Sequence, residues 1–570
     1  MKNFLSLLLI SLFIISDLGF AQNLPIGLTE SEKLVEYTPP AVSGYTTPPV
    51  SEVRTPAEWE EIDGLCIRWE GSWVRPLLRE IVKNAVEEVT VYIVTENQNS
   101  VSNYLNQYGV DQTNVVYVDE PSNSIWFRDY GQWNVYTEGV DSLLWVDWIY
   151  NRPRPDDDVV PEALADLLNI PLYQTTQVPY DLVNTGGNFM VDGFGTAFSS
   201  ELIIEENNGT GFGISNHDEP TIDGILEDFM GIERYIKMPT LPYDGIHHID
   251  MHMKLLDEET LLIGEYPSGV ADGPQIESNL NYVLNSFSSV YGTDYKVIRI
   301  PMPPEGGYYP DTWGDYRTYT NSVFVNNTVL VPIYEQQWDT TALRIYREAL
   351  PGYKVVGLDC NEIITASGAI HCITKAVASS DPLLIRHQPL QDQVYSTNDY
   401  EINALIKHAD GISNAAVYWT TDTTQSYAAV SMTLTNPSEG TWTGYIPYQQ
   451  EGEKVFYYIH AEANTGKQQN RPMPAPEGYW MFKVLSDPIG IAEADMRIGV
   501  YPNPSIGQFH VNVNYDSPVR YSVFDAQGRL VENSQFNRQM VLDLSDQPKG
   551  VYAIRMEWDG SQKSIRIQKL

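Results

Sequence analysis

The stretch His248-Ile-Asp-Met-His-Met-Lys-Leu-Leu256 is followed by a polar turn, Asp257-Glu-Glu-Thr260, and a second apolar run, Leu261-Leu-Ile-Gly264. An amphipathic helix is predicted next over 276–287, then a strand over 295–300. Apolar runs joined by a polar turn read as a hairpin, and a 3.6-residue apolar period reads as a helix. The same order recurs at once. Asn321-Ser-Val-Phe-Val325, a turn at Asn326-Asn327 and Val329-Leu-Val-Pro-Ile333 lead into a helix over 341–350 and a strand over 353–358.

Upstream the pattern repeats three more times. Hairpins are predicted over 125–148 and 188–204, with helices over 161–168 and 225–230. The first unit supplies a strand over 65–69, a helix over 77–86 and a strand over 89–95. A last strand, 369–377, has no unit of its own and is expected to pair with the first. Five modules closed in this way make an α/β propeller spanning 55–380, with loops of every module converging on one mouth. The alternative is an open α/β sheet, but right-handed crossovers do not call for a hairpin in every unit.

Beyond residue 381 the helical period stops. Strands expected over 401–406, 415–420, 428–434, 440–446, 454–463 and 479–484, at regular spacing, suggest an immunoglobulin-like β-sandwich over 381–486. The last segment, 494–570, is also all-β. Its Tyr501-Pro-Asn-Pro-Ser-Ile-Gly-Gln-Phe509, Val523-Phe-Asp-Ala-Gln-Gly-Arg-Leu530, Lys549-Gly-Val-Tyr552 and basic end resemble the C-terminal sorting domain of type IX secretion cargo. That resemblance implies a partner, the type IX secretion machinery, and a secreted or cell-surface location reached through the periplasm.

The start of the chain agrees with export. Residues 1–21 carry Lys2, an apolar run from Phe4 to Ile15 and small residues before Gln22, the pattern of a signal peptide. Residues 22–54, rich in Pro and Thr, read as an extended linker or propeptide. No later stretch is long and apolar enough for a membrane span. A net charge of -40 argues against nucleic acid and tolerates cationic ligands. Three cysteines, an odd number, leave at least one thiol free.

Cys372, preceded by Gly368 and His371 in the closing strand, is the candidate nucleophile; a lone cysteine is otherwise a small buried hydrophobe. In a strand, His248, Asp250 and His252 share one face. They fit either a zinc site or a carboxylate gripping a cation beside a proton-shuttling histidine. With nine histidines and no second cluster, the cation reading needs fewer partners. Trp126-Phe-Arg-Asp129 adds a second carboxylate and an aromatic face, which together suit a planar cation.

These segments resemble those of the guanidino-group-modifying enzymes of five-bladed propeller (pentein) fold, above all the agmatine deiminases and the bacterial peptidylarginine deiminases. Pro56-Ala-Glu-Trp-Glu60, Trp126-Phe-Arg-Asp129, Thr185-Gly-Gly-Asn-Phe-Met-Val-Asp-Gly-Phe-Gly195, His248-Ile-Asp250, and Tyr319-Thr-Asn-Ser322 with Ile370-His-Cys-Ile-Thr374 occur in order. The resemblance implies Cys372 as nucleophile, His248 as general acid and base, Asp129 and Asp250 as guanidinium ligands, and Asn321 in support.

Tyr150-Asn-Arg-Pro-Arg-Pro-Asp-Asp-Asp158 is similar to the segment with which the peptidyl branch holds a C-terminal carboxylate, which gives Arg152 and Arg154 as a clamp. The expected reaction is hydrolysis of peptidyl arginine, at a C-terminal arginine, to citrulline and ammonia through a thiouronium on Cys372. No cofactor is expected, since the chain lacks a Gly-rich dinucleotide loop and a calcium-loop spacing. Gly186-Gly187 read as a place of close backbone approach. An agmatine deiminase or free-arginine hydrolase is the alternative within enzymes, and an inactive surface binding protein the alternative outside them.

Overall fold

Five separate sheets carry the chain from Val53 to Ala378. Three share one plan: a hairpin whose second strand runs parallel to the strand that follows a helix. They are Met190–Val191 with Thr196–Ser200 and Arg234–Met238, Met253–Leu255 with Thr260–Glu265 and Lys296–Pro301, and Val323–Val325 with Thr328–Ile333 and Lys354–Asp359. A fourth is built on Trp133–Thr137, Leu143–Tyr150 and Leu172–Thr175, and Val53–Arg54 adds to its edge. In the first sheet Ile62–Arg68 runs parallel to Thr90–Val94, and Lys375–Ala378 pairs antiparallel with it from the far end of the repeats. The computed structural model describes residues 24–35, 37, 42–486, 498–501, 503–513, 515, 517–558 and 561–570. The signal peptide expected over 1–21 lies outside the described residues.

Burial explains the plan. In Ile62–Arg68 the run Leu65-Cys66-Ile67 is wholly buried, because a strand covered on both faces has no polar side to offer. Helix Arg75–Ala85 buries Leu77, Leu78, Ile81, Val82 and Ala85, one apolar stripe at helical spacing. Helix Glu219–Met230 begins where the Asp218 carboxylate accepts the Thr221 N–H and stops at Gly231, whose φ of 68° is a left-handed cap. Helix Gln98–Gln107 and strand Val115–Val118 extend the first sheet and are absent from the sequence expectation.

Three expectations are corrected. The closing strand starts at Lys375; the residues before it turn through the 3-10 segment His371–Ile373, so Cys372 is not on a strand. The Asn321 side-chain carbonyl takes the N–H groups of His371 and Cys372 and holds them out of any ladder. Likewise His248, Asp250 and His252 do not share a strand face, because Ile249–Met251 is a 3-10 turn with N–H of Met251 on the carbonyl of His248. Third, the described residues before 54 are packed and not a free linker. Ile26 is fully buried, and the backbone of Tyr45 bonds to Leu172 and Gln174.

The chain divides into two compact units, Met1–Val484 and Leu485–Leu570. Within the first, strands from Leu384 to Leu485 form two antiparallel sheets around their own core, including Ile402, Val417, Val455, Tyr457 and Phe482. Lys467 pairs with Glu61 at 2.7 Å, which ties this region to the edge of the first sheet. In the second unit two small antiparallel sheets enclose Phe509, Val523 and Ile554. Among the described residues no helix is long and apolar enough to cross a membrane.

Candidate active site

Four segments meet where the repeats leave their strands. Asp129 comes from the short helix Phe127–Tyr130, and its Oδ1 accepts the N–H of Gly187 at 3.0 Å. The same oxygen stands 3.7 Å from Nδ1 of His248. A Cβ on Gly187 would lie 2.4 Å from that nitrogen and 3.1 Å from the carboxylate. The expected close approach at Gly186-Gly187 is therefore real, and it is directed at this pair. His248 follows His247, whose φ of 59° is a left-handed conformation that costs a non-glycine residue about 1 kcal/mol or more and clusters at functional sites.

Cys372 and Asp250 complete the group. The Asn321 amide donates to Sγ of Cys372 at 3.1 Å, and Sγ is 3.7 Å from Oδ2 of Asp250. Cys372, His248, Asp129 and Asp250 are all buried. Burial pushes the Cys372 thiol well above its ordinary value, and the carboxylates of Asp250 and Asp129 push it further. Burial holds His248 below its usual range, against the pull of the same two carboxylates. Two carboxylates are thus gathered around a thiol and an imidazole whose uncharged forms burial favours. Oδ1 of Asp250 and Nδ1 of His248 have no hydrogen-bond partner among the described residues, which is costly unless a ligand supplies one.

A set of groups to which the sequence assigns no role stands behind Asp250. Nδ1 of His371 is 2.7 Å from Oδ2 of Asp250, and its Nε2 is 2.5 Å from Oε1 of Glu58. Glu58 also binds Lys254 at 2.7 Å and Arg128 at 3.2 Å. Burial works against its charge, but His371, Lys254 and Arg128 hold the carboxyl well below the usual range. The signals were faint: Glu58 lies inside the Pro56-Ala-Glu-Trp-Glu60 motif, and His371 is next to Cys372. His252 is buried with its Nδ1 unpartnered, and burial lowers it to about 4. Among the described residues, no group of three His, Cys, Asp or Glu side chains is arranged to hold a metal ion.

The Porphyromonas-type peptidyl-arginine deiminase family model matches residues 54–377, more than half of the chain. The chain belongs to this family. A secretion system C-terminal sorting domain matches residues 499–569, so the deiminase is directed to the secretion machinery and to the cell surface or the medium. Among curated relatives, proteins provisionally named agmatine deiminase from Mycoplasma mycoides and Selenomonas ruminantium are 24% and 25% identical. Each alignment covers 58% of this chain and 97% of the relative. Among solved structures, the agmatine deiminase of Enterococcus faecalis superposes with a TM-score of 0.50 at 19% identity, covering 60% of this chain and all of that one. A provisionally named arginine deiminase of Porphyromonas gingivalis gives 0.50 at 19% identity, over 58% of this chain and 99% of that one. These structures share the fold.

Around the candidate site, Trp126 is fully buried and Gly368 packs so closely on its ring that a Cβ there would stand 2.4 Å away. Arg152 and Arg154, expected as a carboxylate clamp, lie close to the N-terminal segment. Both are buried beside the short helix Pro155–Asp158 and are held by residues of the N-terminal segment. Nε of Arg152 donates to the Ile26 carbonyl at 2.8 Å, and Arg154 binds the Glu32 carboxylate at 2.7 Å. The three cysteines, Cys66, Cys360 and Cys372, are all free thiols.

Proposed function

We propose that this protein hydrolyses the guanidinium of peptidyl arginine, at a C-terminal arginine, to a ureido group and ammonia, with Cys372 as nucleophile. The observation that carries this reading is the pair of buried carboxylates, Asp129 and Asp250, flanking Cys372 with Oδ1 of Asp250 unpartnered. A cation that carries donors for both carboxylates satisfies that arrangement. A guanidinium set between the two carboxylates offers donors to both and presents its central carbon to the sulfur. The five sheets are read as blades of a propeller, with the 375–378 strand as the closing seam, and 384–485 as the immunoglobulin-like domain.

The reaction follows from the protonation states. Arrival of a positive charge offsets the carboxylates that keep the thiol protonated, so Cys372 passes its proton to His248 and becomes a thiolate. Sulfur attacks the guanidinium carbon. His248 gives its proton to one amino group, which leaves as ammonia, and a thiouronium remains on Cys372. Neutral His248 then takes a proton from water, hydroxide adds to the same carbon, and the sulfur departs as the ureido product forms. Asn321, donating to the sulfur throughout, positions the thiolate.

Arg152 and Arg154 support the peptidyl reading, since Arg154 already binds a carboxylate, that of Glu32, in bidentate reach. The relatives named as agmatine deiminases favour a second reading, an amine substrate without a carboxylate. Ureido formation by the intact chain on a peptide ending in Arg, the same peptide with Arg internal, free arginine and agmatine separates the two. Turnover chiefly of the C-terminal Arg supports the proposal; turnover of agmatine alone overturns it.

A further inference from the structure

The segment from Leu24 to Glu32 lies across the side chains that the peptidyl reading assigns to substrate. Its contacts are made by main-chain carbonyls and one carboxylate. The carbonyl of Leu24 takes Nε1 of Trp126 at 2.8 Å, that of Ile26 takes Arg152, and those of Pro25 and Gly27 take Nη2 of Arg154 at 2.7 and 3.2 Å. The Glu32 carboxylate completes Arg154, and burial is outweighed there by the guanidinium, which keeps Glu32 below its usual range. Ile26 has no exposed surface, and its N–H donates to the carbonyl of Ala366, just ahead of Gly368 and Cys372. The chain therefore bridges the Arg152-Arg154 loop to the loop that presents the nucleophile.

This is how an extended peptide is recognised, by main-chain carbonyls on fixed donors and a carboxylate on an arginine fork. Because the bonds use the segment's main chain, they do not depend on its side chains except at Glu32 and Ile26. Between the anchor at Glu32 and the next one, where the Tyr37 hydroxyl donates to Asp158 at 3.1 Å, the chain is exposed: Leu34, the last residue of the 3-10 turn Glu32–Leu34, is 88% and Val35 55% exposed. An exposed stretch between two anchored points is open to an endopeptidase.

We propose that residues 24–32 are a tethered occupant of the peptide cleft that keeps the deiminase latent, and that cleavage near Leu34-Val35 releases it. The inference rests on the reading of Cys372 as the centre of a deiminase site. A covalently attached occupant competes at high effective concentration, so even modest contacts suffice to exclude substrate. Once cut, the short segment is free to leave and the two buried guanidinium groups become available to an incoming carboxylate.

The test compares three full chains beginning at residue 22: the unaltered chain, Glu32→Lys, and a chain lacking 22–35. Two rates are read, ureido formation from a peptide ending in Arg and alkylation of Cys372 by iodoacetamide, with thermal unfolding as a control. Loss or repulsion of the segment is expected to raise both rates about tenfold or more, and a synthetic 24–35 peptide added to the deleted chain is expected to inhibit competitively. Faster alkylation with no turnover in any chain would leave the latency standing and remove the deiminase reading. Equal alkylation and equal turnover in Glu32→Lys and the unaltered chain, both folded, would overturn the latency. Should the deletion impair folding, Glu32→Lys decides, because it leaves every apolar contact of Ile26 in place.

Discussion

The side-chain amide of Asn321 bonds the sulfur of Cys372 at 3.1 Å while its carbonyl oxygen holds the N–H of His371 at 3.0 Å. One side chain thus fixes both the sulfur of Cys372, the proposed nucleophile, and the turn that carries it. Asn321→Ala is expected to lower kcat about 10²-fold with little change in KM, since misplacing a nucleophile by a fraction of an ångström costs that much. Steady-state kinetics on a peptide ending in Arg checks the split; a rise in KM alone would move Asn321 into substrate binding.

The thiol of Cys372 is raised by burial and by two carboxylates, so its reactivity should depend on the charge of what approaches it. A cationic alkylator carrying an amidinium is expected to react at least tenfold faster than iodoacetamide at pH 7, with its rate-pH midpoint displaced to lower pH. A neutral reagent meets the raised thiol unaided and should accelerate only on the alkaline side. Equal midpoints for the two reagents would mean that the carboxylates do not govern the thiol.

Glu58 joins His371, Lys254 and Arg128, three groups that no short-range pattern connects. Glu58→Gln removes the carboxylate that Lys254, Arg128 and Nε2 of His371 share in a largely buried cluster and should cost about 3 kcal/mol of stability, by analogy with broken buried pairs. Denaturant unfolding measures the loss. His371 loses its Nε2 partner at the same time, so Asp250 is less well oriented and kcat should fall too. Rescue of stability by Glu58→Asp without rescue of kcat would assign Glu58 to positioning rather than to packing.

The sequence shows some of this site and hides the rest for physical reasons. The hairpin-helix-strand repeat is legible because apolar period is a local property, and Cys372, His248, Asp129, Asp250 and Asn321 sit in ordered motifs. The alternation His248-Ile-Asp-Met-His252 imitates a strand, yet Met251 and His252 bond back to His248 and Ile249 and the run becomes a turn. Composition makes residues 22–54 look like free chain, because Pro and Thr say nothing about a distant Arg154 in search of a carboxylate. Glu58 and His371 meet although 313 residues separate them, beyond the reach of any periodicity.

His387, in the core between the two sheets from Leu384 to Leu485, is lowered to about 4 by burial from its ordinary 6.5. Its Nδ1 donates to the carbonyl of Asn403 at 2.7 Å and its Nε2 accepts from the Tyr457 hydroxyl at 2.9 Å, so it is neutral when folded. Above pH 6.5 neither state is protonated and stability is full. As pH falls from 6.5 to about 4 the unfolded chain takes up a proton that the folded chain refuses, removing up to about 3 kcal/mol. Urea unfolding between pH 7.5 and 4 should show this decline, and His387→Gln should flatten it.

Gly187 is the position where the smallest change should separate chemistry from folding. A Cβ there would come within 2.4 Å of Nδ1 of His248 and 3.1 Å of Oδ1 of Asp129. It would also crowd the N–H that Gly187 gives to that carboxylate. An imidazole ring cannot yield without leaving the place from which the proposed mechanism has it exchange protons with Cys372, so the methyl group displaces His248 and Asp129 rather than the backbone. Gly187→Ala is therefore expected to cost about 1–3 kcal/mol of stability, the usual range for an overpacked site, but at least ~10²-fold in kcat. Measured together, the two losses locate the strain: a large fall in kcat with a modest fall in Tm places it on His248 and Asp129, whereas near-normal turnover would show that His248 can act from a second position.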